Sequence, residues 1–223
     1  MKLDPIFISP PSAHPKDASF VVFSVAFDKE EWGDLGVEEG AVEFNPVYFG
    51  KNEFLNIRSK WKDPLYLRSF YRENEAFFKT QYWEGLTENE LLSDVVASIP
   101  WIFKKIGEVF ISRRLYDLFE PLSEKDAYFK QQNENNPGQH QLVRLKSKYG
   151  YIHDKIPFRI YAVEVDSECF IITGGAIKIV QEMKQAPNTN LELRKIDYLY
   201  RELQQANINT KQDLLDSLYE RTE

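Results

Sequence analysis

Two apolar, β-rich runs separated by a short polar turn constrain the fold of this chain more than any other feature of its sequence. The runs Phe158–Val165 and Glu168–Thr173 are rich in Val, Ile and Phe, and an Asp-Ser dipeptide separates them. Two such runs joined by two turn residues predict an antiparallel β-hairpin. Because side chains alternate along a strand, Arg159 and Tyr161 should lie on one face of it.

Three further segments read as strands. Ala18–Phe27 is almost continuously apolar, which predicts a strand buried on both faces. Ala41–Phe49 and Gln141–Lys146 carry weaker strand patterns. Together with the hairpin, these segments predict N-terminal strands and, later in the chain, a small antiparallel sheet.

Helices are predicted between and after the strands. Thr87 with Glu90, and Thr210 with Asp213, have the spacing of N-terminal capping boxes. Pro100 should break or restart the first of these helices, because proline lacks a backbone donor. Two more helices are expected, over residues 64–78 and, from an amphipathic pattern, over residues 187–203. The fold class is therefore α+β, with a helical middle and C-terminal helices.

The segment from Glu120 to Gln139 contains few apolar residues, which is typical of a linker. We therefore predict an N-terminal α+β region of unknown role at residues 1–130 and a hairpin-and-helix module at residues 135–223. The alternative is one continuous domain that includes the helices of residues 87–120.

Charge and composition exclude several classes of protein. With 28 Lys and Arg against 35 Asp and Glu, the net charge is -7, which argues against broad attraction to nucleic-acid phosphates. One cysteine and three scattered histidines do not have zinc-ligand spacing, so we expect no metal and no cofactor. Without a signal pattern or a long apolar stretch, we expect a cytoplasmic protein with no membrane partner.

The most informative chemistry surrounds the hairpin. Arg159 and Tyr161 share a predicted strand face, and Lys178 follows the pair Gly174-Gly175. Guanidinium groups match phosphate oxygens and aromatic rings stack on bases, so these side chains could hold a nucleotide. The alternative is that the glycines form a strand-ending turn, Tyr161 is half-buried, and the two cations pair with neighbouring acids.

Other chemistry-bearing residues have simpler explanations. His140 and His153 could act as a general acid or base, but histidine at a strand end is more often structural or exposed. Cys169 lies in an apolar strand and is expected to be a buried hydrophobe. The four tryptophans are expected to anchor the core; they are Trp32, Trp61, Trp83 and Trp101.

The stretch LVRLKSKYGYIHDKIPFRIYAVEVDSECFIITGGAIK, from Leu142 to Lys178, resembles the sheet of the RelE/HigB-like toxin superfamily of bacterial toxin-antitoxin systems. It also resembles uncharacterised Bacteroidetes proteins in which an ITGGAIK segment precedes an "EL" helix, here Thr189–Leu203. The similarity covers roughly the last 90 residues, as judged by the length of the motif-bearing module.

The resemblance implies a toxin that cleaves mRNA without a metal. In such a toxin the catalytic candidates are Arg159, Tyr161 and Lys178, because charge gathers on the scissile phosphate. RNA would also contact three peripheral cations, and the implied partners are a cognate antitoxin and mRNA or the ribosome. The candidate RNA contacts are Arg144, Lys146 and Lys148.

The chain departs from such toxins in its acidic balance and in the long region before the module. The second hypothesis is therefore a non-catalytic protein-interaction or accessory protein of a phage or mobile element. An exposed cluster of Arg159, Tyr161 and Lys178 would favour RNA cleavage. Burial of these side chains would favour the interaction protein.

Overall fold

A computed structural model of the chain describes residues 2–37, 46–80, 83, 86–123, 142–148 and 158–219. Within these ranges, six strands form one sheet in the order β1-β2-β6-β5-β4-β3. The strands are β1 (Lys2–Ser9), β2 (Phe20–Ala26), β3 (Phe119–Pro121), β4 (Val143–Ser147), β5 (Phe158–Asp166) and β6 (Cys169–Ile177). The helices are α1 (Lys29–Asp34), α2 (Glu53–Lys62), α3 (Pro64–Glu73), α4 (Glu75–Phe78), α5 (Glu88–Ser112), α6 (Leu115–Leu118), α7 (Pro187–Gln205) and α8 (Lys211–Tyr219).

The α+β class is confirmed, but the sheet is mixed rather than purely antiparallel. β5 and β6 form the predicted antiparallel hairpin, and β4 pairs antiparallel with β5. β2, however, joins β6 in parallel, with Val21 opposite Cys169 and Ser24 opposite Ile172. The N-terminal strands and the C-terminal module therefore contribute to one sheet.

Two predicted strands have different outcomes. β2 is buried along its whole length, as its apolar sequence predicts. In the predicted strand Ala41–Phe49, Pro46–Tyr48 instead forms a 3₁₀ turn, and residues 41–45 lie outside the described ranges. Pro46 has a fixed φ and no N–H group, so it cannot extend a strand ladder.

The helix that begins after Thr87 does not break at Pro100. Both halves of the predicted capping box are formed, and α5 continues for 25 residues to Ser112. Pro100 leaves the carbonyl of Val96 without its intrahelical donor, but both residues are exposed, so water can satisfy that group. No helix within the described ranges has both the length and the apolar composition to cross a membrane.

The other predicted helices are largely confirmed. The segment 64–78 forms two helices, α3 and α4, with Asn74 between them. α7 and α8 appear where the amphipathic pattern and the Thr210 capping box place them. α2 was not predicted from the sequence, because its burial depends on packing against β6 and β2.

The sheet separates two hydrophobic cores. One lies between the sheet and α2, α3 and α5, and the other lies between the sheet and α1, α7 and α8. Trp32, Trp61 and Trp83 are core residues, as predicted. The prediction for Trp101 is wrong: its side chain lies on the outer face of α5 and is 45% exposed.

Candidate functional site

The sheet face that carries the predicted catalytic side chains is covered by α7. Tyr161 is 0% exposed and belongs to the core beneath α7, and alternation along β5 places Arg159 on the same face. Arg159 is 7% exposed, and its Nη1 donates to the carbonyl of Ser147 at 3.0 Å. The predicted shared face is confirmed by the register, because Ala176, opposite Arg159, belongs to the same core as Tyr161, whereas the catalytic roles of these side chains stay predictions. In this conformation, neither side chain forms part of an exposed cluster.

The peripheral cations differ in exposure. Arg144 is buried, forms a salt bridge with Asp197 of α7, and lies 4.3 Å from the centre of the Tyr200 ring. Lys146 is paired with Glu120 at 3.7 Å, and Lys148 Nζ donates to the carbonyl of Tyr116 at 2.7 Å. Their RNA contacts stay predictions, and the guanidinium group of Arg144 forms the salt bridge that anchors α7.

The glycine pair lies inside β6 and does not form a strand-ending turn. Gly174 has a φ of 156°, and a Cβ there would lie 1.8 Å from Glu192 Oε2. A Cβ at Gly175 would lie 3.0 Å from Ile57 Cδ1 and 2.8 Å from the carbonyl oxygen of Arg159. The glycines therefore make room for side chains of α7 and α2. Lys178 follows the end of β6 and is partly exposed.

A crevice opens where the parallel strands β2 and β6 separate. Their pairing ends at Ser24 and Ile172, and just beyond it Asn52, the residue before α2, forms an isolated bridge with Ala26. Ser24 Oγ accepts from the backbone N–H of Phe54 at 2.9 Å, which anchors α2 there. α2 packs on one face of the sheet and α7 on the other. In open α/β sheets, ligands commonly bind at such a gap beyond the carboxyl ends of parallel strands.

In this protein, three charged side chains of the chain itself fill the crevice. Lys195 Nζ of α7 contacts Glu53 Oε2 of α2 at 2.7 Å and Glu192 Oε1 at 2.8 Å. The three side chains are between 0% and 4% exposed. We call Glu53, Glu192 and Lys195 the crevice triad. It connects helices on opposite faces of the sheet.

Aromatic and polar groups surround the crevice triad. Lys195 Nζ lies 4.8 Å from the centre of the Trp32 ring, a cation–π contact. Glu53 Oε1 accepts from Asn56 Nδ2 at 3.0 Å. Lys60 also lies near the Trp32 ring and acts electrostatically on Glu192. The carboxylates are thus desolvated but surrounded by cations.

Two members of the triad, Glu192 and Lys195, have shifted pKa values. Burial raises the pKa of Glu192 to about 7, although the adjacent Lys195 opposes the shift. Burial alone would lower the pKa of Lys195, but the two carboxylates outweigh it and the pKa is raised. Glu192 Oε2 has no hydrogen-bond partner among the described residues, so it is the oxygen available to hold the proton.

A carboxyl group that holds a proton near neutral pH, beside an ammonium and a second carboxylate, has the composition of an acid–base centre. A substrate cannot contact these side chains at the observed burial, so the triad acts as a structural connection. The sequence did contain one signal: Glu192 and Lys195 fall on the otherwise apolar stripe of α7.

The remaining candidates add no reactive centre within the described ranges. His140 and His153 lie outside those ranges. Cys169 is buried, as predicted, and burial raises the pKa of its thiol. No group of three or more His, Cys, Asp or Glu side chains in the described part of the chain could hold a metal ion.

One cavity of about 460 Å³ lies between the β1–β2 edge of the sheet and the helices α7 and α8. Its walls are mainly apolar, and Lys2 and Glu202 contribute charged groups. Both side chains are exposed, so the cavity has no buried charged group to orient a ligand. The apolar lining includes Leu3, Phe23, Leu203, Ile208, Leu214 and Leu218.

Comparisons of the chain with protein-family models, with curated proteins and with solved structures find no match.

Proposed function

We propose that this protein is a non-catalytic protein-interaction or accessory protein. The observation that carries the proposal is the burial of Arg159 and Tyr161 beneath α7, with Arg144 committed to Asp197. The crevice at which an α/β enzyme would bind its substrate is filled by the chain's own triad. Both regions with suitable chemistry are thus used to hold the fold together.

Displacing α7, which would expose Arg159 and Tyr161, would cost too much free energy to occur often. The helix buries five large aliphatic side chains, and each contributes about 2 kcal/mol when fully buried. Their sum, about 10 kcal/mol, equals the whole free energy of unfolding of a typical domain. A conformer with α7 displaced would therefore be almost unpopulated. The five residues are Leu191, Leu193, Ile196, Leu199 and Leu203.

A metal-independent endoribonuclease toxin of RelE/HigB type, or a degenerate relative, is the second candidate. It is favoured by the placement of Arg144, Lys146 and Tyr161 on the same face of neighbouring strands: Arg144 is opposite Val163, and Lys146 is opposite Tyr161. Lys146 and Lys178, which are partly exposed, would be its accessible cations. A cognate antitoxin and mRNA or the ribosome would then be its partners.

Induced expression in a bacterial host separates the two candidates. Growth and translation rate are followed for the wild type and for Lys178→Ala, with Lys184→Ala as the matched control at an exposed lysine. The Arg159→Ala/Lys178→Ala variant is included only if its circular dichroism shows that it folds, because Arg159 is buried. Purified protein is also incubated with total RNA, with and without ribosomes, and cleavage is mapped by primer extension.

For the interaction protein, we expect no arrest of translation and no cleaved RNA from folded wild type. Translational arrest that Lys178→Ala abolishes and Lys184→Ala retains would refute the proposal in favour of the toxin.

A further inference from the structure

The outer face of α5 carries an apolar patch where a solvent-facing helix should be polar. α5 packs on the sheet side through Leu91, Val95 and Ile102. On its opposite side Val96 is 42% exposed and Trp101 is 45% exposed. Ala97 and Pro100 are also exposed and lie between these two. We call Val96, Ala97, Pro100 and Trp101 the α5 patch.

The α5 patch lies between charges of opposite sign. Glu90 precedes Ala97 by seven residues and Lys104 follows it by seven, and all three are exposed. Seven residues are almost two helical turns, so the three side chains form one line, with each charge about 10 Å from Ala97. Asp94 and Lys105 repeat the same polarity nearby. From Glu90 to Lys104, the outer face of α5 is therefore acidic, then apolar, then basic, and it continues with the exposed Glu108 and Ile111.

This order is self-complementary for two antiparallel helices. A two-fold axis at Ala97 would place Glu90 of each copy opposite Lys104 of the other, because both lie seven residues from the axis. Ala97 is small enough to let the helices approach closely at the axis. Trp101, one turn further along, would lie opposite Ser93 of the second copy, because each is four residues from the axis. A parallel arrangement would instead oppose like charges.

Each side chain needed for this contact has a neighbour within α5 or its N-terminal cap. Lys105 Nζ lies 4.6 Å from the centre of the Trp101 ring, so the ring has a charged neighbour. Glu90 accepts the two capping bonds from Thr87 through Oε2, which leaves Oε1 for a lysine of another copy. Lys104 is held only loosely by Glu108, at 4.0 Å on an exposed surface.

We propose that the α5 patch is a self-association surface, and that its occupant is a second copy of this chain packed antiparallel through α5. The contact spans about 15 residues of one helix, or about 22 Å. A stable complex usually buries about 800 Å² on each partner, which one helix pair does not reach. The dimer is therefore expected to be weak and reversible.

Sedimentation equilibrium at about 5 to 500 μM tests the proposal on the whole chain. Wild type is expected to pass from monomer to dimer across this range. Trp101→Ser should weaken association at least tenfold. Leu65→Ser is the matched control, because Leu65 is 75% exposed but lies on α3.

A charge exchange tests the antiparallel register. Lys104→Glu and Glu90→Lys should each abolish self-association, because each places like charges opposite one another. Mixed in equal amounts, the two variants should form a heterodimer, because both charge pairs are then restored. Glu90→Lys should still fold, because the Thr87 hydroxyl accepts from the backbone N–H of residue 90, at 3.3 Å in the wild type. Its melting temperature checks this.

Three results would overturn the proposal. The first is a wild type that stays monomeric at the highest concentration. The second is a dimer that persists in both Trp101→Ser and Lys104→Glu, which would mean that another surface forms it. The third is failure of the folded Lys104→Glu and Glu90→Lys variants to associate when mixed.

Discussion

Replacing Lys195 by methionine tests whether the crevice triad stabilises the fold. The substitution keeps the volume of the side chain but removes the ammonium between Glu53 and Glu192, both buried. Removing one partner of a buried ion pair costs about 3 to 5 kcal/mol, because a charge is left uncompensated. Since a domain of this kind is stable by about 5 to 15 kcal/mol, we expect Lys195→Met to lose about a fifth of that or more.

The loss should depend on pH. Without the ammonium, nothing from Lys195 opposes the burial that raises the pKa of Glu192, so the folded variant holds a proton that the unfolded chain releases. Its deficit relative to wild type should therefore be smaller at about pH 5.5 than at about pH 8. Urea unfolding followed by tryptophan fluorescence measures both values, and Trp32 lies close enough to Lys195 to report on this region.

Two controls make the result specific. Lys62→Met, at an exposed position of α2, should change the free energy of unfolding by less than about 0.5 kcal/mol. Adding Glu53→Gln and Glu192→Gln to Lys195→Met should recover part of the loss, because the uncompensated charge is removed. A loss below about 1 kcal/mol for Lys195→Met at about pH 8 would refute the reasoning.

Three further predictions concern Glu192, Gly174 and the salt bridge between Arg144 and Asp197. The pKa of Glu192 is raised from 4.5 to about 7, so its contribution to stability should be lost as the pH rises through that window, by at most about 3 kcal/mol. Glu192→Gln should flatten this dependence of the free energy of unfolding on pH, as measured by urea titrations. Gly174→Ala should cost about 3 kcal/mol in thermal unfolding, because its Cβ overlaps Glu192 Oε2, and less in a Glu192→Ala background. Arg144→Met should cost about 3 kcal/mol in chemical unfolding by leaving Asp197 unpaired, whereas Arg144→Met/Asp197→Leu should recover most of it.

Local patterns in the sequence were sufficient for elements whose signals are short-range. The β5–β6 hairpin, the capping box at Thr87 and the amphipathic α7 each depend on alternation, on a three-residue spacing or on helical periodicity. The shared face of Arg159 and Tyr161 follows from strand alternation in the same way. For these features, the residues that determine the structure are neighbours in the chain.

The exposure of those side chains was not determined locally. Whether Tyr161 faces solvent or α7 depends on which face of the sheet α7 covers. The alternation of side chains along β5 is compatible with either arrangement. The continuity of α5 through Pro100 likewise depends on water reaching one carbonyl group. The packing of α7 therefore decides whether the hairpin can present Arg159 and Tyr161 to a ligand.

The sequence by itself determined the α+β class, most helices and the hairpin, because their signals repeat every two to four residues. Only the tertiary structure decided that β2 joins β6 in parallel, and that Glu53 meets Lys195 across a separation of 142 residues. It also explained the glycine pair, whose role is to admit Glu192 and Ile57 from opposite faces of the sheet. Contacts between distant segments depend on how whole elements pack, and no local pattern specifies that packing.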